Sequence, residues 1–132
     1  MRRAVLQPAG SGDAKQHYHD TIENPVEFSA HAADLGGEMT SLLTAHPSGR
    51  APMWGATPGA GERNVKVYER MAPGDYVFFA GDGKLFAGGT VTTIFRNPQL
   101  AAALWSFDGK GQTWELMFSL SSSAHFRSRT RR

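Results

Sequence analysis

The run from Tyr76 to Phe95 constrains this chain more than any other segment. Tyr76-Val77-Phe78-Phe79-Ala80 and the stretch from Leu85 to Phe95 are rich in aromatic and β-branched residues, and Gly81-Asp82-Gly83-Lys84 separates them. Such side chains fit a pleated, half-buried surface, and an Asp-Gly pair accepts the left-handed backbone of a tight turn, so the segment predicts a β-hairpin. The same glycines lack the spacing and the Ser or Thr of a phosphate-cradling loop, which leaves the hairpin as their explanation.

The rest of the chain is read against that hairpin. Arg3 to Gln7 predicts a first strand, ended by Pro8 and Gly10-Ser11-Gly12, and Asp13 is placed to cap a short helix over Ala14 to Asp20. Apolar residues at 33, 35, 39, 42 and 43 predict helix between Ala30 and Ala45, interrupted at Gly36-Gly37. Ala51 to Gly55 reads as extended, Thr57 to Gly61 as a glycine-rich loop that closes over a pocket, and Asn64 to Arg70 as a helical turn. Gln99 to Trp105 predicts a short helix, and Thr113 to Leu120 a last strand with Trp114, Leu116, Phe118 and Leu120 on one face. Strands separated by short helices in so small a chain suggest an α+β fold, a curved mixed sheet closing toward a barrel.

Composition narrows the function classes. At 132 residues the chain is expected to form one domain over 1–126, with 127–132 as a basic tail or linker. It has no cysteine, which excludes disulfides, thiolate metal sites and a cysteine nucleophile. The absence of a long apolar run predicts a cytoplasmic protein with no membrane partner. Arg2, Arg3, Arg127, Arg129, Arg131 and Arg132 account for the formal charge of +2; residues 4–126 hold 8 basic against 12 acidic side chains. A body this acidic is not built to hold nucleic acid by counterion release, so any such binding needs a specific pocket.

Residues that carry chemistry occur at spacings that impose no reaction. His17 and His19 point about 200° apart on a helix and cannot share a metal there, and no metal or cofactor is expected. Asp75 follows Pro73-Gly74 at a strand entrance, where a turn-capping carboxylate is the simplest reading. Trp114 fits the apolar rhythm of the last strand. Trp54 and Trp105 stand at loop edges, where an indole either folds into the core or lines a cavity able to sandwich a flat ring.

Met53-Trp54-Gly55, Asn64, Met71-Ala72-Pro73-Gly74-Asp75-Tyr76-Val77-Phe78-Phe79, Gly83-Lys84-Leu85-Phe86-Ala87-Gly88, Leu104-Trp105 and Thr113-Trp114-Glu115-Leu116 follow one another in an order that resembles the EVE and YTH domains of the PUA-like superfamily. The resemblance covers about residues 51–120 and, more weakly, 3–20. It implies a twisted mixed β-barrel flanked by short helices, a non-catalytic reader that flips a modified, methylated base into an aromatic cage. In bacteria and archaea such domains direct restriction nucleases to methylated DNA, so double-stranded DNA and a nuclease or motor domain are the implied partners. Carried across, Trp54 and Trp105 match cage walls, Gly55 the neighbour whose backbone amide contacts the base, and Asn64 the residue that reads the base edge. The chain departs from the pattern at Gly10-Ser11-Gly12-Asp13, where no asparagines match, and in the insertion from Asp20 to Arg50.

Arg50, Arg63, Arg70 and Arg96 lie in or beside the loops carrying these residues and are the candidates for phosphate contacts. Two other readings stand beside the first. One is a small RNA-binding barrel that reads modified or structured RNA without flipping; the other is a nucleobase or small-molecule enzyme with Asp75, His17 or Glu62 as acid-base groups.

Overall fold

The computed structural model describes residues 3–121 and the backbone of a short strand at 124–125. The expected boundary between a domain of 1–126 and a tail of 127–132 lies outside the described residues. Strand β1 (Ala4–Pro8) leads into helix α1 (Gly12–Tyr18), which widens into a π-helical turn at His19–Glu23. Ser11 takes the capping position of α1, and Asp13 falls in its first turn. The segment expected as one helix is divided: β2 (Val26–Glu27) and a 3-10 turn at Phe28–His31 precede α2 (Glu38–Ala45). The 3-10 turn ends at His31, and Gly36-Gly37 separates it from α2, glycine forfeiting too much backbone freedom to carry a helix through. Then come β3 (Arg50–Ala51), β4 (Met53–Ala56), α3 (Arg63–Glu69), β5 (Tyr76–Gly81), β6 (Lys84–Arg96), α4 (Pro98–Trp105), β7 (Leu116–Leu120) and β8 (Ala124–His125). No helix among the described residues is long and apolar enough to cross a membrane.

The hairpin forms as its sequence requires. Gly81 pairs with Lys84 across Asp82 and Gly83, whose φ values of 54° and 75° are those of a two-residue primed turn. The main sheet runs β1-β5-β6-β7-β4, with β8 also on β6; β1 is parallel to β5 and the other pairs are antiparallel. β2 and β3 form a separate pair. Curling brings β1 and β4, the two ends of this order, to the same side of the molecule, where the Trp54 indole N–H donates to Gln7 Oε1 at 3.1 Å. No strand pairing joins β1 to β4 among the described residues, so the expected closure of the sheet stops one pairing short and leaves a seam.

Both faces of the sheet are apolar. The inner layer gathers Trp54, Val77, Phe79, Val91, Phe118 and Leu120 beneath Tyr18 and Ile22. The outer layer packs Met53, Phe95 and Met117 against Leu100, Ala101 and Trp105 of α4, Leu42 of α2 and Phe28. Where β6 slips register between Val91 and Thr93, buried Ser119 accepts from the freed Thr93 amide at 3.2 Å, and Thr92 links Ser119 to His46 through 2.8 Å contacts. The bulge is thereby satisfied internally.

Asp75 is buried, and both of its carboxylate oxygens are taken: Oδ1 accepts from the Arg3 amide and Oδ2 from the Ala72 amide, each at 2.9 Å. It ties the start of β1 to the entrance of β5. Asp75→Ala should therefore lower the unfolding free energy by about 1–3 kcal/mol, the cost of orphaning buried donors, with Asp75→Asn losing less. Urea denaturation midpoints of the two variants against the parent chain check this.

Candidate functional site

The seam between β1 and β4 frames a hollow of about 290 Å³, lined by Arg3 and by Val5 to Pro8 of β1, Ala56 at the end of β4, Asn64, Val67 and Tyr68 of α3, and Met71, Leu116 and Phe118. Strand alternation explains the lining. Val5 and Gln7 turn toward the interior and Leu6 toward the lip, where it and Val67 stand exposed. Among the described residues only one edge of β1 and one edge of β4 are paired, and on the other edge of β4 Thr21 engages the Met53 carbonyl. Tyr68 fixes the floor, its hydroxyl lying 2.8 Å from the Phe95 carbonyl and 2.6 Å from that of Met117; burial raises its pKa. Apolar walls with a few amide groups and free strand edges suit a flat, partly polar ring.

The sequence-predicted residues divide around this hollow. Asn64 lines it, and its Nδ2 donates to the Thr57 carbonyl at 2.9 Å, which stitches the glycine-rich loop to α3. The Gly59 amide donates to Gln112 Oε1 at 3.0 Å and the Asn64 amide to the Pro58 carbonyl at 2.9 Å, so the loop expected to close over a pocket is pinned over its first three residues. Trp54 and Trp105 do not share an opening. Trp54, 4% exposed, points inward against Tyr18 and Phe79, whereas Trp105, 8% exposed, belongs to the outer layer. The reason is the period of two along β4: Trp54 takes the inner face, which turns Met53 and Gly55 outward.

Gly55 meets Trp105 on that outer face. A methyl group there would run into the Trp114 carbonyl oxygen and come within 3.0 Å of Trp105 Cζ3. His17 completes the cluster, stacked on Trp105 with centroids 5.4 Å apart and edge-on to Trp114 at 4.3 Å. Thr21 braces it from the π-helical turn by donating to the Met53 carbonyl at 2.7 Å, a widened turn of the kind that often marks functional sites. Among the described residues Trp105 Nε1 is buried without a hydrogen-bond partner. Trp114, expected on the inner face of the last strand, packs outward instead, because β7 begins only at Leu116 while Thr113 donates to the Ser106 carbonyl.

The arginines are dispersed. Arg50 on β3 pairs with Glu27 at 3.2 Å, and Arg96 pairs with Glu115 at 2.7 Å. Arg63 and Arg70 stand exposed at opposite ends of α3, and Arg63 adjoins Asn64. His17 and Asp75, coupled in the enzymatic reading, are held in different surroundings, the first between indoles and the second between backbone amides. Glu62 is exposed on the loop with a φ of 58°. Gln7 and the His17 cluster are what sequence reasoning missed; a polar residue at an inward position of an apolar strand was the available signal for Gln7.

No family model matches the chain, and no curated protein matches it. Among solved structures the chain is similar to the N-terminal domain of Thermococcus gammatolerans McrB bound to m5C DNA, with a TM-score of 0.69 and 14% identity over 96% of this chain and 78% of that one. The likeness shows the fold, an α+β arrangement with a curved mixed sheet as expected from the sequence.

His17 and His46 give the site a pH dependence. Burial lowers the pKa of both, outweighing for His17 the upward pull of Asp13 and Asp20. Below the ordinary imidazole value of about 6.5, the unfolded chain binds protons that the folded chain refuses, so stability falls with pH in that range. Melting temperature should drop between pH 7.5 and 5.5, and His17→Phe should flatten part of the drop. An unchanged slope in that variant would assign the dependence elsewhere.

Proposed function

We propose that this chain is a non-catalytic DNA-binding domain that recognises a methylated base taken out of the duplex, and that it serves to bring a nuclease or motor partner to modified DNA. The observation that carries the reading is the whole-length likeness of its fold to a domain whose structure was solved on m5C DNA. The seam hollow is where that reading places the base, with Gln7 and Asn64 as the amides on its edge and Trp54 as the ring behind the wall.

The energetics favour a pocket of this kind. A methyl group adds roughly 0.8 kcal/mol of apolar burial, which a flat polar surface scarcely registers. Unstacking a nucleotide costs a few kcal/mol, and enclosure of the base against apolar and aromatic side chains offsets it. The acidic body argues for the same division of labour. With Arg50 and Arg96 engaged by carboxylates, Arg63 and Arg70 are the arginines on α3 left to steady the flanking backbone, so phosphate contacts orient and the pocket discriminates.

The test is fluorescence anisotropy with a duplex carrying one 5-methylcytosine, its plain control and the matching RNA. The methylated duplex should bind about 10-fold more tightly than the plain one, or roughly 1.4 kcal/mol. Affinity should fall with salt at a slope set by only two or three phosphate contacts. Leu6→Glu and Val67→Glu, placed on exposed lip residues so that folding is preserved, should abolish the preference. Equal affinity for both duplexes refutes the reading, and tighter binding to the RNA favours an RNA-binding domain.

A further inference from the structure

Phe107 is, among the described phenylalanines, tyrosines and tryptophans, the one that stands exposed, at 59%. It follows Trp105 immediately after Ser106, whose φ of 64° and ψ of −139° turn the chain sharply out of α4. A non-glycine residue in that region is held there by its surroundings, and the surroundings here are specific. Asp108 Oδ1 accepts from the Lys110 and Gln112 amides at 2.8 and 2.9 Å, the Asp108 amide donates to the Gln112 carbonyl at 2.7 Å, and Thr113 Oγ1 donates to the Ser106 carbonyl at 2.7 Å. Gln112 in turn accepts from the Gly59 amide, on the loop that Asn64 stitches to the rim of the seam hollow.

The loop is thus closed on itself and fastened to the rim, yet it presents a large apolar ring to water. Exposure of that ring has no counterpart in the packing: its neighbour Trp105 is buried, and the loop bonds satisfy the backbone without it. Lys110 stands exposed on the same loop and Arg63 on the neighbouring one, both suited to phosphates flanking an inserted ring.

Resting on the reading of the seam hollow as a base site, we propose that Phe107 inserts into the DNA duplex and fills the gap left when the recognised nucleotide leaves the stack. Apolar side chains wedged between base steps are an established way of stabilising a distorted duplex. The loop that carries Phe107 is fastened through Gln112 to the Thr57–Gly61 loop, which Asn64, a lining residue of the hollow, holds in place. The wedge acts only on a duplex, because a single strand has no stack to repair.

This yields a test that separates the wedge from the pocket. Parent chain, Phe107→Ala and Phe107→Trp are titrated against a duplex carrying one 5-methylcytosine, the plain duplex and the methylated single strand. The ring contributes stacking, so Phe107→Ala should weaken binding to the methylated duplex by roughly 10-fold or more while changing the single strand by less than about twofold. Phe107→Trp should restore duplex binding. If the parent prefers the methylated duplex and Phe107→Ala leaves that binding unchanged, or weakens duplex and single strand alike, the wedge is refuted and the base site stands. A parent chain with no preference for methylation overturns both. Circular dichroism melts of the exposed-site variants confirm that each is folded.

Discussion

The alternation of side chains along Met53-Trp54-Gly55-Ala56 decides what the neighbourhood of the seam can be. With Trp54 on the inner face, Gly55 is committed to the outer one, and its missing side chain is what allows the Trp114 carbonyl and the Trp105 ring to approach. Moving the register by one residue would bury a glycine in the interior and force an indole into the outer contact. The two indoles therefore do different work. Trp54 supports the wall of the hollow through Gln7, and Trp105 anchors α4 and the loop that leaves it.

Much of the fold was legible because its signals are local. The hairpin follows from two β-forming runs and an Asp-Gly turn, α4 from Asn97, whose side chain caps the Leu100 amide, and from Pro98 at the first helical position. The inward rhythm of Leu116, Phe118 and Leu120 was equally plain. The seam was not, because it depends on β1 pairing with a strand some seventy residues away, and nothing within Arg3 to Gln7 names that partner. The aromatic site shows the same limit. Order along the chain suggested one cage of Trp54, Gly55, Asn64 and Trp105; the structure instead sets Trp54 on the inner face, Gly55 against Trp105 on the outer one and Asn64 at the hollow, and only the pairing of β4 with β7 fixes which face each strand residue takes. His17 stayed hidden for a related reason: its burial comes from two tryptophans almost a hundred residues downstream.

Charge and packing bear on recognition in opposite senses. Exposed pairs such as Arg50 with Glu27 contribute little to stability, but they do remove cations from the surface available to a polyanion. On the proposed reading, a domain arranged in this way gains little from non-specific attraction to DNA, which lowers the background against which a single methyl group would be detected. Discrimination by a small apolar increment is most effective where the electrostatic contribution is small, and an acidic body with a preformed hollow meets that condition.

The open seam itself carries a cost that the rest of the fold offsets. Unpaired strand edges are ordinarily driven to pair, and pairing would bring β1 and β4 to about 4.8 Å and eliminate the space between them. Three features oppose closure. The Gln7–Trp54 bond spans the gap through side chains rather than backbone, Tyr68 and Met71 wedge α3 and its exit against the floor, and Thr21 engages the Met53 carbonyl from the other direction. Each supplies a hydrogen bond or an apolar contact in place of a ladder contact, which is the pattern expected when a local rule is broken at a site that must stay open. The hollow is therefore a consequence of named side chains and of the interactions that hold them.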